Sequence, residues 1–171
     1  KSTFEKFGYD YSVNPQNEIV LWTIRFPRII LALLVGAGLS VAGCAFQSLF
    51  SNPLATPDTL GVASGTSFGA ALGILMGFSL IGIQFSALLF GIIAVSLTYL
   101  SGTGKGHSIN TIVLAGIMIG SLFSALVSFT KFVADSESQL PAITYWLMGS
   151  LSSASYKTLM LGAPFIIVGI F

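Results

Sequence analysis

Charge is what this chain has least of. Its 171 residues include 7 Lys and Arg and 6 Asp and Glu, 8% in all, against 54% hydrophobic residues and a mean hydropathy of +0.90. Soluble domains carry about 25% charged residues, so a water-soluble fold of this size lacks the side chains to cover its surface. Residues 59–104 contain no Asp, Glu, Lys or Arg at all. The composition implies an integral membrane protein. The single cysteine, Cys44, lies inside an apolar run; that excludes a disulfide framework and a cysteine metal site and leaves a small packing residue. The single histidine, His107, has no second histidine for a metal site or proton relay. No Ser, His and Asp set can be assembled within the membrane. No catalytic residue, metal ligand or cofactor is therefore nominated in this chain. A net charge of +1 gives no electrostatic footprint for nucleic acid.

What is present is apolar sequence in blocks. Five segments, about 29–50, 64–80, 82–101, 110–130 and 158–171, predict an all-α, polytopic transmembrane helix bundle. At ~1.5 Å per residue the first would reach ~33 Å, enough for a bilayer core of ~30 Å. Residues 79–82 leave room only for a tight hairpin turn between the second and third. The loop at 102–109 is glycine-rich and holds Lys105, but it fails the phosphate-loop pattern: position 99 is Tyr, and Gly106 follows the lysine. Residues 141–151 read as a short interfacial helix, with Tyr145 and Trp146 suited to the headgroup boundary. The chain opens on a polar stretch without a signal peptide and stops inside an apolar run, so both ends read as cut from a longer protein.

Small residues recur at every fourth position. Gly65, Gly69, Gly73 and Gly77 make one such row; Gly36, Ser40, Cys44 and Ser48 a second; Gly116, Gly120, Ser124 and Ser128 a third. In lipid, helices associate through close backbone approach rather than the hydrophobic effect. Such rows serve either helix packing or the lining of a pathway or subunit interface, and both readings stand at this stage.

The first segment is bracketed by two unusual flanks. Before it come Arg25-Phe26-Pro27-Arg28. Arginines at a membrane edge bind lipid phosphates and snorkel, while a rigid guanidinium pair also suits carboxylates on a partner; chemistry alone does not choose. Proline between them discourages the helix from extending further back. After it come Asn52-Pro53-Leu54-Ala55-Thr56-Pro57, where two prolines four apart preclude regular helix. That flank is either a helix stop or a constriction in a pathway, with Asn52 offering amide groups and Leu54 an apolar plug. Alternation across five segments puts Lys1, Lys6, Arg25, Arg28, Lys131 and Lys157 on one side and Lys105 on the other. Taken alone, that count places the six-cation side in the cytoplasm.

In order, these segments resemble the permease subunit of bacterial ABC importers for iron-siderophores, haem and vitamin B12. The resemblance rests on RFPRIILALLVGAGLSVAGCAFQSLFSNPLATPDTLGVASG (residues 25–65), IVLAGIMIGSLFSAL (112–126) and YWLMGSL (145–151). Such subunits have about ten helical crossings, and the match implies helices two to six. It implies a site in the cytoplasmic membrane and partners: a second permease subunit, identical or related, two cytoplasmic ATPase subunits and an extracytoplasmic substrate-binding protein, besides lipid. It turns the RFPR end outward, against the cation count, and makes Arg25 and Arg28 candidates for docking the binding protein. Asn52 and Leu54, with Ser108 to Asn110, become candidates for a cytoplasmic gate. The family's ATPase-coupling loop falls beyond the last segment. The rival class is an ion-coupled carrier or channel, which would show a mid-span charge or an inverted repeat with broken helices.

Overall fold

The computed structural model describes residues 15–102, 109–152 and 154–170. The fold is all-α, with no strand among these residues. The elements are α1 (Pro15–Ile19), a π-helical turn (Val20–Arg25), α2 (Phe26–Phe50), a 3₁₀ turn (Pro57–Leu60), α3 (Val62–Leu75), α4 (Leu80–Gly102), α5 (Ile109–Val133), α6 (Gln139–Met148) and α7 (Tyr156–Ile170). Three helical stretches, Gln16–Phe50, Leu80–Gly102 and Ile109–Val133, are long and apolar enough to cross a membrane; α3 and α7 are shorter apolar helices. Helices are the expected solution, because a bilayer core offers no water to satisfy backbone groups.

The chain divides into two compact units, Lys1–Ser40 with Leu151–Phe171, and Val41–Ser150. In the first, helix does not begin after Pro27 as expected. It runs from Pro15 through the π turn into α2. The physical reason lies in the wider register: Phe26 N–H bonds to Leu21 O, a five-residue step that opens the turn around the pyrrolidine ring, and Pro27 is fully buried. α7 passes α2 closely enough that a Cβ at Gly38 would stand 3.2 Å from Ile166 Cγ2.

In the second unit, α3 and α4 form a hairpin joined at residues 76–79. A Cβ at Gly65 would lie 2.6 Å from Ala94 Cβ and 2.7 Å from Phe90 O; one at Gly69 would strike Ser86 O. α4 answers with its own small row, Ala87, Gly91, Ala94 and Thr98, all buried, and a Cβ at Gly91 would sit 2.6 Å from Thr66 Cγ2. The two rows let the backbones meet, which is what holds helices together where water does not drive them. Phe68, Phe90 and Phe123, one from each of α3, α4 and α5, close the remaining space, with ring centroids 5.0, 5.8 and 6.4 Å apart. Gly77 does not continue its row. α3 ends at Leu75, and Gly77 sits in the hairpin turn at φ +70°, a left-handed conformation that glycine adopts without penalty.

α6 starts two residues earlier than expected and ends at Met148, before Gly149 at φ +69°. Pro141 lies in its first turn, where the missing N–H has no intrahelical acceptor to lose. Ile143 is fully buried, and Gln139 Nε2 donates to the terminal carbonyl of α3, Leu75 O, at 3.1 Å. Asp135 organises the approach: its carboxylate accepts from Ser138 Oγ at 2.6 Å and Ser138 N–H at 2.8 Å. The Ser138 hydroxyl, then its amide, hold the Asp135 carboxyl below the ordinary aspartate range. Since the folded pKa is the depressed one, this Asp135–Ser138 interaction stabilises above the unfolded pKa and fades as pH falls through the folded value. Ser138→Ala should return the Asp135 titration towards that of a free aspartate, measured by carboxyl NMR on the full-length protein in detergent.

Candidate functional site

The two flanks of α2 are the candidate sites, and each lies within a single unit. At the amino-terminal flank, Arg25 ends the π turn and Arg28 falls in the first turn of α2. They do not form a matched pair. Arg25 is exposed and makes no ion pair or hydrogen bond among the described residues. Arg28 is half-buried; its Nη2 donates to Ser152 O at 2.7 Å, and its Nε is sealed from solvent with no partner among the described residues. Tyr156 Oη, at the start of α7, donates to Trp22 O at 2.8 Å. Sequence reasoning nominated neither Ser152 nor Tyr156, and no local pattern marks them, since their partners lie 124 and 134 residues away.

At the carboxyl-terminal flank, α2 ends at Phe50, and Ser51 takes φ 48°. Asn52 then builds the turn rather than leaving its amide idle. Its Oδ1 accepts from Leu54 N–H at 2.9 Å and its carbonyl from Ala55 N–H at 3.1 Å, a side-chain-mimicked turn of the kind asparagine favours. The turn holds Leu54 out, 85% exposed, and Ala55 in, 6% exposed. Cys44, Gln47, Ser48, Ser51, Asn52 and Pro53 line an open cleft of about 320 Å³. Thr56 caps the 3₁₀ turn reciprocally with Thr59, and Gly61 at φ +72° redirects the chain into α3.

That 3₁₀ turn is pinned from two sides. Buried Thr98 of α4 donates to Leu60 O at 3.0 Å. From α5, Gly116 lies against the Thr59 carbonyl and Gly120 against Gly61, so that any Cβ at Gly116 would clash with backbone. The TPDT capping pattern and Gly61 were signals in the sequence for this turn; Thr98 had none. Of the small-residue candidates, Gly65, Gly69 and Gly73 are thus buried at α4, Gly116 and Gly120 bear on the turn, and Gly77 stands apart in the hairpin.

Ser124 differs from its row. Its hydroxyl lies 3.4 Å from that of Ser64, and both, with Ala63, Ser67 and Val127, line a shallow groove of about 230 Å³ between α3 and α5. Asn110 is exposed in the first turn of α5. Ser108 lies outside the described residues, as do Lys105 and His107. Among the described residues, no three His, Cys, Asp or Glu side chains gather.

The chain as a whole is similar to several known proteins. A solved inward-facing conformation of an ABC transporter assigned to the metal-chelate type superimposes with a TM-score of 0.84 at 38% identity, over 93% of this chain and 51% of that one. The molybdate import system permease protein MolB of Haemophilus influenzae is 41% identical over 91% of this chain and 47% of its own length. The cobalamin import system permease protein BtuC of Halobacterium salinarum is 34% identical over 93% and 43%, and the hemin transport system permease protein HmuU of Yersinia pestis 36% over 86% and 46%. The chain spans about half the length of the curated relatives it matches. The family model for the FecCD transport family matches residues 2–171, and with that span and these identities the chain belongs to the FecCD transport family.

Proposed function

We propose that this chain forms part of the permease subunit of an ABC importer that moves an iron-siderophore-type chelate, haem or cobalamin across the cytoplasmic membrane. Separate ATPase subunits would supply the energy, and an extracytoplasmic binding protein the substrate. The observation that carries this is the match of the family model over residues 2–171. The RFPR end of α2 then faces outward, where Arg25 meets the binding protein, and the 51–56 turn faces the cytoplasm as a gate, with Leu54 as its exposed apolar tip. A second subunit, identical or related, completes the pathway. The chemistry of the spans suits a bulky cargo: Ser, Thr and Gly line them, and no intramembrane carboxylate pair offers tight coordination of a bare ion.

A second substrate class has one specific support, the 41% identical molybdate permease. Reconstituting the full-length permease with its ATPase and binding protein in proteoliposomes separates the cases. The expected result is ATP-dependent accumulation of an iron chelate, haem or cobalamin, with excess molybdate failing to compete. Accumulation of molybdate alone would replace the substrate class and leave the importer reading intact. Uptake driven by an ion gradient without ATP would overturn the importer reading itself.

A further inference from the structure

The π turn makes a definite demand on its surroundings. With Phe26 N–H bonded to Leu21 O, the next donor in that register, due to Trp22 O, is residue 27. Residue 27 is proline and has no N–H. The Trp22 carbonyl is therefore stranded by covalent structure, and the Tyr156 hydroxyl satisfies it at 2.8 Å. Close by in sequence, Arg28 Nη2 donates to Ser152 O at 2.7 Å. These bonds join residues 22–28 to residues 152–156 at two points.

The same bonds decide which arginine can receive a carboxylate side-on. A guanidinium pairs side-on with a carboxylate through the fork made by Nε–H and the Nη2–H beside it. In Arg28, Nη2 is engaged by Ser152 and Nε is buried, so that fork is closed and only the weaker-matched Nη1 edge is left. In Arg25 it is open: the residue is exposed at the end of the π turn. Arg25 is also three residues before Arg28 across Pro27 and ends the π turn, so its direction depends on the register that the two clasping bonds hold.

We propose that the arginines divide the work. Arg25 pairs with an acidic side chain of the binding protein, while Arg28 and Tyr156 are positioning residues that hold the π turn at residues 20–25 and so aim Arg25. This rests on the docking reading given above.

Two measurements on the full-length permease test it. In phenylglyoxal labelling mapped by mass spectrometry, Arg25 should react at least about tenfold faster than Arg28, and Tyr156→Phe should raise the Arg28 rate without lowering that of Arg25. Equal rates in the unaltered protein overturn the division. In docking to the importer's own binding protein, Arg25→Glu should weaken affinity by at least about tenfold, and an acid-to-lysine change on the binding protein should restore it. Arg28→Glu should not be restored by any such change; restoration of both variants would overturn the division while leaving docking in place. Tyr156→Phe, which keeps the ring, should weaken docking by about threefold to tenfold with the salt dependence of the unaltered protein, whereas Arg25→Gln should flatten that dependence. Unchanged affinity in Tyr156→Phe overturns the positioning role. Unchanged affinity in Arg25→Glu, with no protection of Arg25 from phenylglyoxal by the binding protein, overturns the docking reading itself.

Discussion

Gly116→Ala is expected to cost about 3 kcal/mol or more of stability, at or beyond the upper end of ordinary overpacking. The added Cβ would strike the Thr59 carbonyl oxygen and stand 3.0 Å from its carbon and 3.1 Å from Leu60 Cα. All three are backbone atoms, so no rotamer change relieves them. The 3₁₀ turn cannot retreat either. Thr98 holds Leu60 O, Thr56 and Thr59 cap each other, and a Cβ at Gly61 would already be 2.9 Å from Gly120 N. Relief requires α5 to move away, which gives up van der Waals contact along the crossing, and in lipid no hydrophobic term replaces it. Gly69→Ala should behave alike, since its Cβ would strike Ser86 O. Gly120→Ala is the control: its Cβ would meet Gly61 Cα at 3.5 Å, an ordinary contact, and should shift stability by less than about 1 kcal/mol. Unfolding midpoints of the full-length permease in detergent would decide; equal midpoints for Gly116→Ala and Gly120→Ala would mean that α5 does not cross the turn at this distance.

Thr98→Val should destabilise by about 1–2 kcal/mol, a magnitude set by leaving a part-buried carbonyl unpaired within a membrane protein. Valine keeps the shape and β-branching and removes only the donor. Thr98 is fully buried and its hydroxyl is the bond that ties the 3₁₀ turn to α4. Amide hydrogen exchange at residues 59–61 should accelerate by about tenfold for each 1.4 kcal/mol lost locally. Thr98→Ser keeps the donor and should leave those amides protected, losing only a methyl group. Faster exchange in both variants would assign the protection to packing rather than to the hydrogen bond. The effect bears on function because the turn carries the chain from the 51–56 segment, the proposed gate, into α3.

Much of this fold was legible because a bilayer narrows the choices. A charge-free run of the right length must be helix, and the segments expected at 82–101 and 110–130 appear as α4 and α5 with ends shifted by up to three residues. The glycine row of α3 was legible because a four-residue period on a helix makes one smooth face. It failed at Gly77, where the spacing continues although the helix does not: the hairpin must turn, and a left-handed residue is needed after Leu75. Pro27 was misleading for a related reason. Its local chemistry opposes α-helix before it, but a π register with Tyr156 supplying the lost hydrogen bond lets the helix through. The matching small row on α4, Ala87, Gly91, Ala94 and Thr98, went unnoticed because its spacing alternates four, three and four and so breaks a strict four-residue period.

The candidate sites divide the same way. Residue types and spacing on their own determined the membrane setting, the helical class, the break after α2 and the residues worth asking about, because those follow from backbone satisfaction in lipid and from local steric rules. Only the tertiary structure decided which of two arginines remains exposed, which glycines meet backbone and which meet open space, and that Asn52 folds its own turn so that Leu54 stands out. The first two depend on how helices cross, bringing together residues as distant as Arg28 and Ser152, and sequence spacing carries no information about crossings. The third is local but required an actual hydrogen bond, which a residue type permits without imposing.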